Sequence, residues 1–261
     1  MRRLIVEWRR YLARVWTAGL AVIGDEILSG RTQDRNITQV ATWLNAQGIR
    51  LAEVRVVPDI EVRIIEAIDA LRQAYDYCFT TGGIGPTHDD ITVDAVARAL
   101  GVPVIIHPEA RAILDRYYAN KGGLNEGRLR MARVPEGAEL IPNQMSGAPG
   151  IKLGNLYLMA GVPHITAGML DALSGTLEGG RPLLSVTVGA FAPESEVADI
   201  LRQVEQSSEG ISIGSYPFFK EGRVGSNFVV RSEDGDRARA VAEELAGRLA
   251  EVGYEPVAGG I

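Results

Sequence analysis

Ten consecutive residues, Thr81-Gly82-Gly83-Ile84-Gly85-Pro86-Thr87-His88-Asp89-Asp90, gather glycines, hydroxyls and carboxylates in one short stretch. Glycine reaches φ > 0 and admits a bulky anion without a Cβ in the way. Gly82, Gly83 and Gly85 therefore read as a phosphate cradle, with Thr81 and Thr87 as added hydroxyl donors. Asp89 and Asp90 would repel a phosphate unless a cation stood between them. A divalent metal (Mg, Mn or Co) bridging carboxylate and phosphate oxygens resolves that conflict. The plainer alternative is that Thr87 or Asp90 caps the following helix and the glycines only make a tight turn.

A second stretch of the same character is Gly24-Asp25-Glu26-Ile27-Leu28-Ser29-Gly30-Arg31-Thr32, followed by Asp34 and Asn36. One reading makes Asp25, Glu26, Asp34 and Asn36 a group that contacts a ligand or metal. The other makes Asp34 a helix cap and Asp25-Glu26 a solvated turn. Two more loops dense in Gly and Pro follow, around Gly147-Ala148-Pro149-Gly150 and Gly161-Val162-Pro163. His88 lies inside the glycine loop. His107, beside Pro108, reads as structural. The arginines of residues 128–133 form either a solvated helix face or a source of cations for an anion.

The elements that must position these loops follow from hydrophobic periodicity. Apolar runs at residues 17–23, 51–57, 75–79, 102–106 and 156–159 read as strands. Helical stripes lie between them, as in Ile37, Val40, Ala41 and Leu44, or Ile60, Ile64, Ile68 and Leu71. Strict alternation of strand and helix predicts βαβ units and a parallel sheet. Such a sheet brings the C-terminal strand ends, and with them the loops above, to one edge. Composition shifts near residues 175–182, read as a linker. The segment 183–257 then reads strand, helix, strand, strand, helix: a small α+β domain. Its Gly222-Arg223-Val224-Gly225 spells a G-x-x-G loop, but it joins two strands rather than two helices and is read as a hairpin turn. Residues 1–15 form an arm with Leu4, Trp8, Tyr11, Leu12 and Val15 on one helical face. It is either an added packing helix or a start assigned too early, and it lacks the apolar core of a targeting peptide. The α/β domain is placed at 16–174.

At 261 residues, 46% hydrophobic and 23% charged, the chain has the balance of an ordinary globular protein. Its net charge of -6 argues against an electrostatic nucleic-acid binder. The single Cys78 excludes an intrachain disulfide and lies in an apolar strand, so it reads as core. No apolar run reaches the length of a membrane span, and a cytoplasmic protein is expected.

These motifs, in this order, resemble the N-terminal region of the competence/damage-inducible protein family CinA. That region belongs to the molybdopterin-binding group, which also holds the molybdopterin adenylyltransferases and part of the eukaryotic FAD synthases. The resemblance covers about residues 17–255, and the tail is similar to the family's KH-like segment. It implies a three-layer αβα domain with a mostly parallel sheet, binding a nucleotide or pterin phosphate along the glycine loop. It implies a homo-oligomer and, for CinA-type members, metal-dependent hydrolysis of a nucleotide pyrophosphate such as ADP-ribose or FAD. Asp89, Asp90 and Asp25 would hold the metal and carry catalysis. Thr81, Gly82, Gly83, Gly85, Thr87, Ser29, Gly30, Asp34, Asn36, Gly147 and Gly161 would contact the ligand. Molybdopterin binding or adenylylation is the alternative, and a non-catalytic binding module a further one. The family's nicotinamide mononucleotide deamidase domain has no counterpart here, so that activity is not carried over. Ala160 stands where relatives usually have Pro, which is expected to loosen that turn.

Overall fold

The computed structural model describes residues 14–143 and 145–261. The helical arm expected at residues 1–15 lies outside the described residues, except for Arg14 and Val15. The described chain divides into two units between Gly180 and Arg181.

The first unit is built on a six-stranded sheet of order β2-β1-β3-β8-β7-β6. Strands β1 (Trp16–Ile23), β2 (Ile49–Val57), β3 (Tyr77–Thr81) and β8 (Leu156–Met159) are parallel neighbours. All five residues of β3 are buried, which is why its sequence carries no alternation of apolar with exposed polar residues: Tyr77-Cys78-Phe79 is followed by two buried threonines, Thr80 and Thr81. Its side chains still alternate between faces. Tyr77 and Phe79 join a core with helices α2 (Asn36–Ala46) and α7 (Pro163–Leu173), through Val40, Leu44, Met169 and Leu170. Cys78 joins the opposite core, built from α3 (Glu61–Ala74) and α4 (Thr92–Leu100) through Ile64, Ile68, Val93 and Val96. The result is the expected three-layer αβα arrangement. Phe79 stacks on Tyr157 at 4.9 Å between centroids. Burying such a ring stabilises the fold by about 1.5–3 kcal/mol. The Cys78 thiol is fully buried and is pushed up to about 12 by that burial, as a core residue should be.

Three features depart from strict alternation. Strand β4 (Val104–Ile106) leaves the main sheet and pairs antiparallel with β5 (Arg133–Pro135). The main sheet is instead extended by antiparallel β7 (Gly150–Leu153) and β6 (Glu139–Ile141). The loop after β1 begins with a short helical turn, α1 (Asp25–Leu28). Helices α5 (Pro108–Tyr118) and α6 (Glu126–Arg130) fill the segment between β4 and β5. His107 caps α5, its Nδ1 accepting from Ala110 N at 3.4 Å. The span read as a linker is tied down over residues 175–180. Gly180 N donates to Gly48 O at 3.0 Å, and Tyr77 Oη donates to Glu178 O at 2.9 Å.

The second unit is a β-α-β-β-α-β arrangement: β9 (Leu184–Ala190), α8 (Glu194–Ser207), β10 (Ser212–Lys220), β11 (Arg223–Ser232), α9 (Gly235–Glu251) and β12 (Val257–Ala258). The last strand is an addition to the sequence reading. Its antiparallel sheet has the order β10-β11-β9-β12, and both helices share one core with Val188, Phe228 and Val230. The G-x-x-G stretch is a hairpin turn. Glu221 (φ 54°) and Gly222 (φ 74°) supply the two positive φ values of a two-residue connection between Lys220 and Arg223. Strand β10 is an edge. Ile213 N turns away from β11 and donates to Glu205 Oε1 on α8 at 3.1 Å. By alternation, Pro217 presents its donor-less nitrogen to the same free side. Among the described residues no helix is long and apolar enough to cross a membrane.

Candidate ligand-binding cleft

The C-terminal ends of β1, β2, β3 and β8 surround a cavity of about 510 Å³. Its floor is Gly82-Gly83-Ile84-Gly85. Its walls come from Gly24 and Glu26 after β1, Asp59 after β2, Gly161 and Val162 after β8, and Ser146, Ala148 and Pro149. Tyr118 and Met131 close the apolar side. This is the strand edge at which open α/β sheets hold ligands.

The glycines have distinct causes. Gly82 has φ 98°, and a Cβ there would run into the carbonyl of Ile23. Gly83 has φ 70°, and a Cβ there would collide with Thr92 Oγ1, which donates to Gly82 O at 3.0 Å. Thr92 N donates to Gly83 O at 3.0 Å. So the first two glycines let β3 turn into α4 against neighbouring backbone, and Thr92 locks the turn. The N–H groups of Gly83, Ile84 and Gly85 donate to no acceptor among the described residues. They are free for an anion.

Asp90 behaves differently from the metal ligand expected of it. Its Oδ2 accepts from Thr87 N at 2.7 Å and from Thr87 Oγ1, and it lies 2.7 Å from where a Cβ on Gly85 would stand. The carboxylate thus closes the loop on itself, and neither Thr87 nor Asp90 caps α4 by its side chain. From behind, Arg130 Nη2 donates to Asp90 O at 3.2 Å. Arg130 is therefore the arginine of the 128–133 run that reaches the glycine loop. Arg128 donates to Gly123 O and lies over Tyr118, and Arg133 pairs with Asp94. Asp89 projects outward, its carboxyl held below the usual range by the Thr87 hydroxyl and its own N–H. His88 is almost wholly exposed.

Asp25 differs too. Its contribution is its backbone N–H, which donates to Asp59 Oδ2 at 2.9 Å, while Glu26 and Asp59 line the cavity instead. Burial raises the Asp59 carboxyl above the ordinary aspartate value; the Asp25 N–H opposes this, and the charges of Asp25, Glu26 and Asp89 add to it. Asp59 was hidden in the sequence because its segment lacks glycine. The signal that finds it is position, since Pro58-Asp59 follows β2 as Gly24 follows β1 and Gly82 follows β3.

Several expected ligand contacts act as supports. Asp34 Oδ1 accepts from Ile37 N at 2.8 Å at the start of α2. Asn36 is buried and its Nδ2 donates to Gly161 O at 2.7 Å, which ties α2 to the turn after β8. Gly161 in turn packs on Gly82, whose Cα is 3.3 Å from a Cβ placed at Gly161. Thr81 is buried beneath the floor, and its Oγ1 has no partner. Ser29 N and Gly30 N donate to Asp25 O and Ile27 O at the end of α1, away from the cavity lining. Gly147 (φ 75°) lets its loop pack on Tyr117. Ala160 does not leave its turn loose, since its carbonyl accepts from Thr166 Oγ1 at 2.6 Å.

Residues 19–179 match the family model described as a probable molybdopterin binding domain. The chain belongs to that family. Residues 182–257 match the middle domain of FAD synthase. A protein of Aeropyrum pernix is 32% identical over 264 residues, covering 91% of this chain and 97% of that protein. A CinA-like protein of Desulfosudis oleivorans is 32% identical over 78% of this chain, which spans about half (52%) of that longer relative. The crystal structure of CinA from Thermoplasma acidophilum superposes with a TM-score of 0.58 at 30% identity, over 62% of this chain and 98% of that one. Membership in the molybdopterin-binding family agrees with a cleft built for a pterin or nucleotide ligand.

The resemblance also implies a divalent metal. Glu26, Asp59 and Asp89 line the cavity with carboxylate oxygens of the kind that Mg²⁺ and Mn²⁺ take. Among the described residues, however, no three acidic, histidine or cysteine side chains are grouped so that they could hold a metal ion. Ligand phosphates and water would complete the shell.

Proposed function

We propose that this protein binds a phosphorylated nucleotide or pterin in the cleft and hydrolyses a nucleotide pyrophosphate, such as ADP-ribose or FAD, with a divalent metal. The observation that carries this reading is that one cavity is lined both by the glycine loop, with its unspent N–H groups, and by the acids Glu26, Asp59 and Asp89. The N–H groups of Gly83, Ile84 and Gly85 would bind phosphate oxygens, and Tyr118 and Met131 would cover the apolar ring system. Asp89, with Glu26 and Asp59, would hold the cation, which supplies charge to polarise a phosphoryl oxygen. Asp25 would position Asp59 through its N–H. Asp90 would keep the loop in register, or join the metal only after giving up Thr87.

The test is metal-dependent AMP release from a panel of ADP-ribose, FAD, NAD and ATP, with Mn²⁺, Co²⁺ or Mg²⁺ and with chelator. Turnover that the chelator abolishes, and that Asp89→Ala lowers by roughly a hundredfold with the fold intact, supports hydrolysis. A second reading is molybdopterin binding or adenylylation; its binding form is favoured by the closed Thr87–Asp90 ring, which ties up a carboxylate that metal chemistry would use. Calorimetric binding of molybdopterin or a nucleotide without hydrolysis of any panel member would select it.

A further inference from the structure

The small sheet buries one face under α8 and α9; on the other, Gly260 and Ile261 lie over Gly189 and Asn227, and the side along β10 is left open. Two aromatic residues of β10 lie on the open face over glycines. Tyr216 covers Gly214, its Cε2 standing 3.0 Å and its Oη 3.2 Å from where a Cβ would sit. Phe218 lies over Gly225, with Cε2 at 2.7 Å and the Ala190 carbonyl at 2.8 Å from the same point, and meets Phe191 edge-on at 5.6 Å between centroids. Glycine at these two sites lets each ring settle onto the sheet, where Phe218 is half-buried. Tyr216 is 49% exposed. Two strand positions separate the rings, a spacing of about 6.7 Å along the chain.

Charge on this unit is sorted by face. The strand register puts Lys220, Arg223 and Arg231 on the open side with Tyr216 and Phe218, and no Asp or Glu occupies a strand position there. The guanidinium of Arg231 lies 5.6 Å from the Tyr216 ring and that of Arg223 lies 3.9 Å from the Phe191 ring. None of these three cations forms an ion pair among the described residues. On the helices, by contrast, Arg202 pairs with Asp199 and Arg239 with Asp236. The net charge of the whole chain hides this separation.

We propose that the open face binds single-stranded nucleic acid, with successive bases stacked on Tyr216 and Phe218 and their phosphates held by Arg231, Arg223 and Lys220. A four-stranded antiparallel sheet with exposed rings and nearby cations has the elements such recognition needs: stacking tolerates any base, and the cations track the backbone. Three phosphate contacts would give a modest salt dependence, with log K falling against log salt at a slope of about -2.

The test is fluorescence anisotropy of the full chain with labelled oligothymidylate and oligouridylate across a KCl series, beside circular dichroism of each variant. Binding at low salt with that slope is expected. Tyr216→Ala should weaken it by roughly five- to a hundredfold. Arg231→Ala should flatten the slope by about 0.7, and Arg202→Ala on α8 should change nothing. If Tyr216→Ala does not fold, Arg231→Glu carries the test and should abolish binding. No binding at low salt overturns the proposal, as does binding that survives both Tyr216→Ala and Arg231→Glu. Equal competition by a mononucleotide overturns the strand reading. So does a wild-type dimer in sedimentation that Tyr216→Ala dissolves, since the face would then pair with a second copy.

Discussion

In the large sheet, Gly82 yields to the carbonyl of Ile23 and Gly161 yields to Gly82, whereas in the small sheet Gly214 yields to the Arg231 guanidinium and the Tyr216 ring. The first pair brings backbone onto backbone at strand ends that neighbouring strands and helices hold fixed. The second case brings side chain onto backbone at a surface. A carbonyl in a parallel ladder has nowhere to go, but an exposed ring can rotate away. Close approach at the cleft is therefore a condition of folding, and close approach on the small sheet is a condition of surface shape.

Alanine substitutions separate these cases. Gly82→Ala combines φ 98° with a clash against a carbonyl and should cost about 3 kcal/mol or more. Urea denaturation should show a collapsed midpoint or no folded protein. Gly214→Ala must only displace the Arg231 guanidinium and the Tyr216 ring and should cost about 1–2 kcal/mol, with the fold retained by circular dichroism. A loss at Gly214 equal to that at Gly82 would break the comparison. Gly30→Ala calibrates both. Its φ is 71° with open space around it, so only the conformational cost of about 1 kcal/mol should appear.

The smallest effect concerns charge. The Asp59 carboxyl is raised above its ordinary value, so the fold disfavours its ionised form and wild-type stability falls as pH rises through that raised value. Asp59→Asn keeps an acceptor for Asp25 N and removes the charge. It should melt slightly above wild type at neutral pH. The gain should vanish below the ordinary aspartate pKa, where both chains are neutral at this position. A melting difference that does not change with pH would mean that burial, with the charges of Asp25, Glu26 and Asp89, does not raise the Asp59 carboxyl. Asp90→Asn against Asp90→Ala sharpens the same point. If closing the loop onto Thr87 is what matters, the amide retains substantial cleft binding and alanine loses it.

The parallel strands, the glycine loop and the hairpin at Gly222 were legible because each rests on a local rule: apolar runs, φ > 0, turn length. The departures rest on choices of partner. The short run Val104-Ile105-Ile106 is apolar enough for the main sheet, and nothing in it says that Arg133–Pro135 will claim it. Strand β7 begins at Gly150 inside a Gly- and Pro-rich stretch, where strand propensity is low. Within the site, residue type pointed to the glycines and to Asp34 and Asn36, and only the fold shows that the polar groups of Asp34 and Asn36 hydrogen-bond to the backbone of Ile37 and Gly161. Asp59 drew no attention in the sequence, because only the fold sets its carboxylate beside the Asp25 N–H and in the cavity lining.

The β10 edge has a consequence for the crowded solution in which the chain must persist. Glu205 occupies the Ile213 amide, and Pro217 has no amide proton to offer. A foreign strand docking along this rim would find its ladder interrupted at two of the outward positions. Templated growth into fibrils is discouraged there despite the aromatic residues beside it.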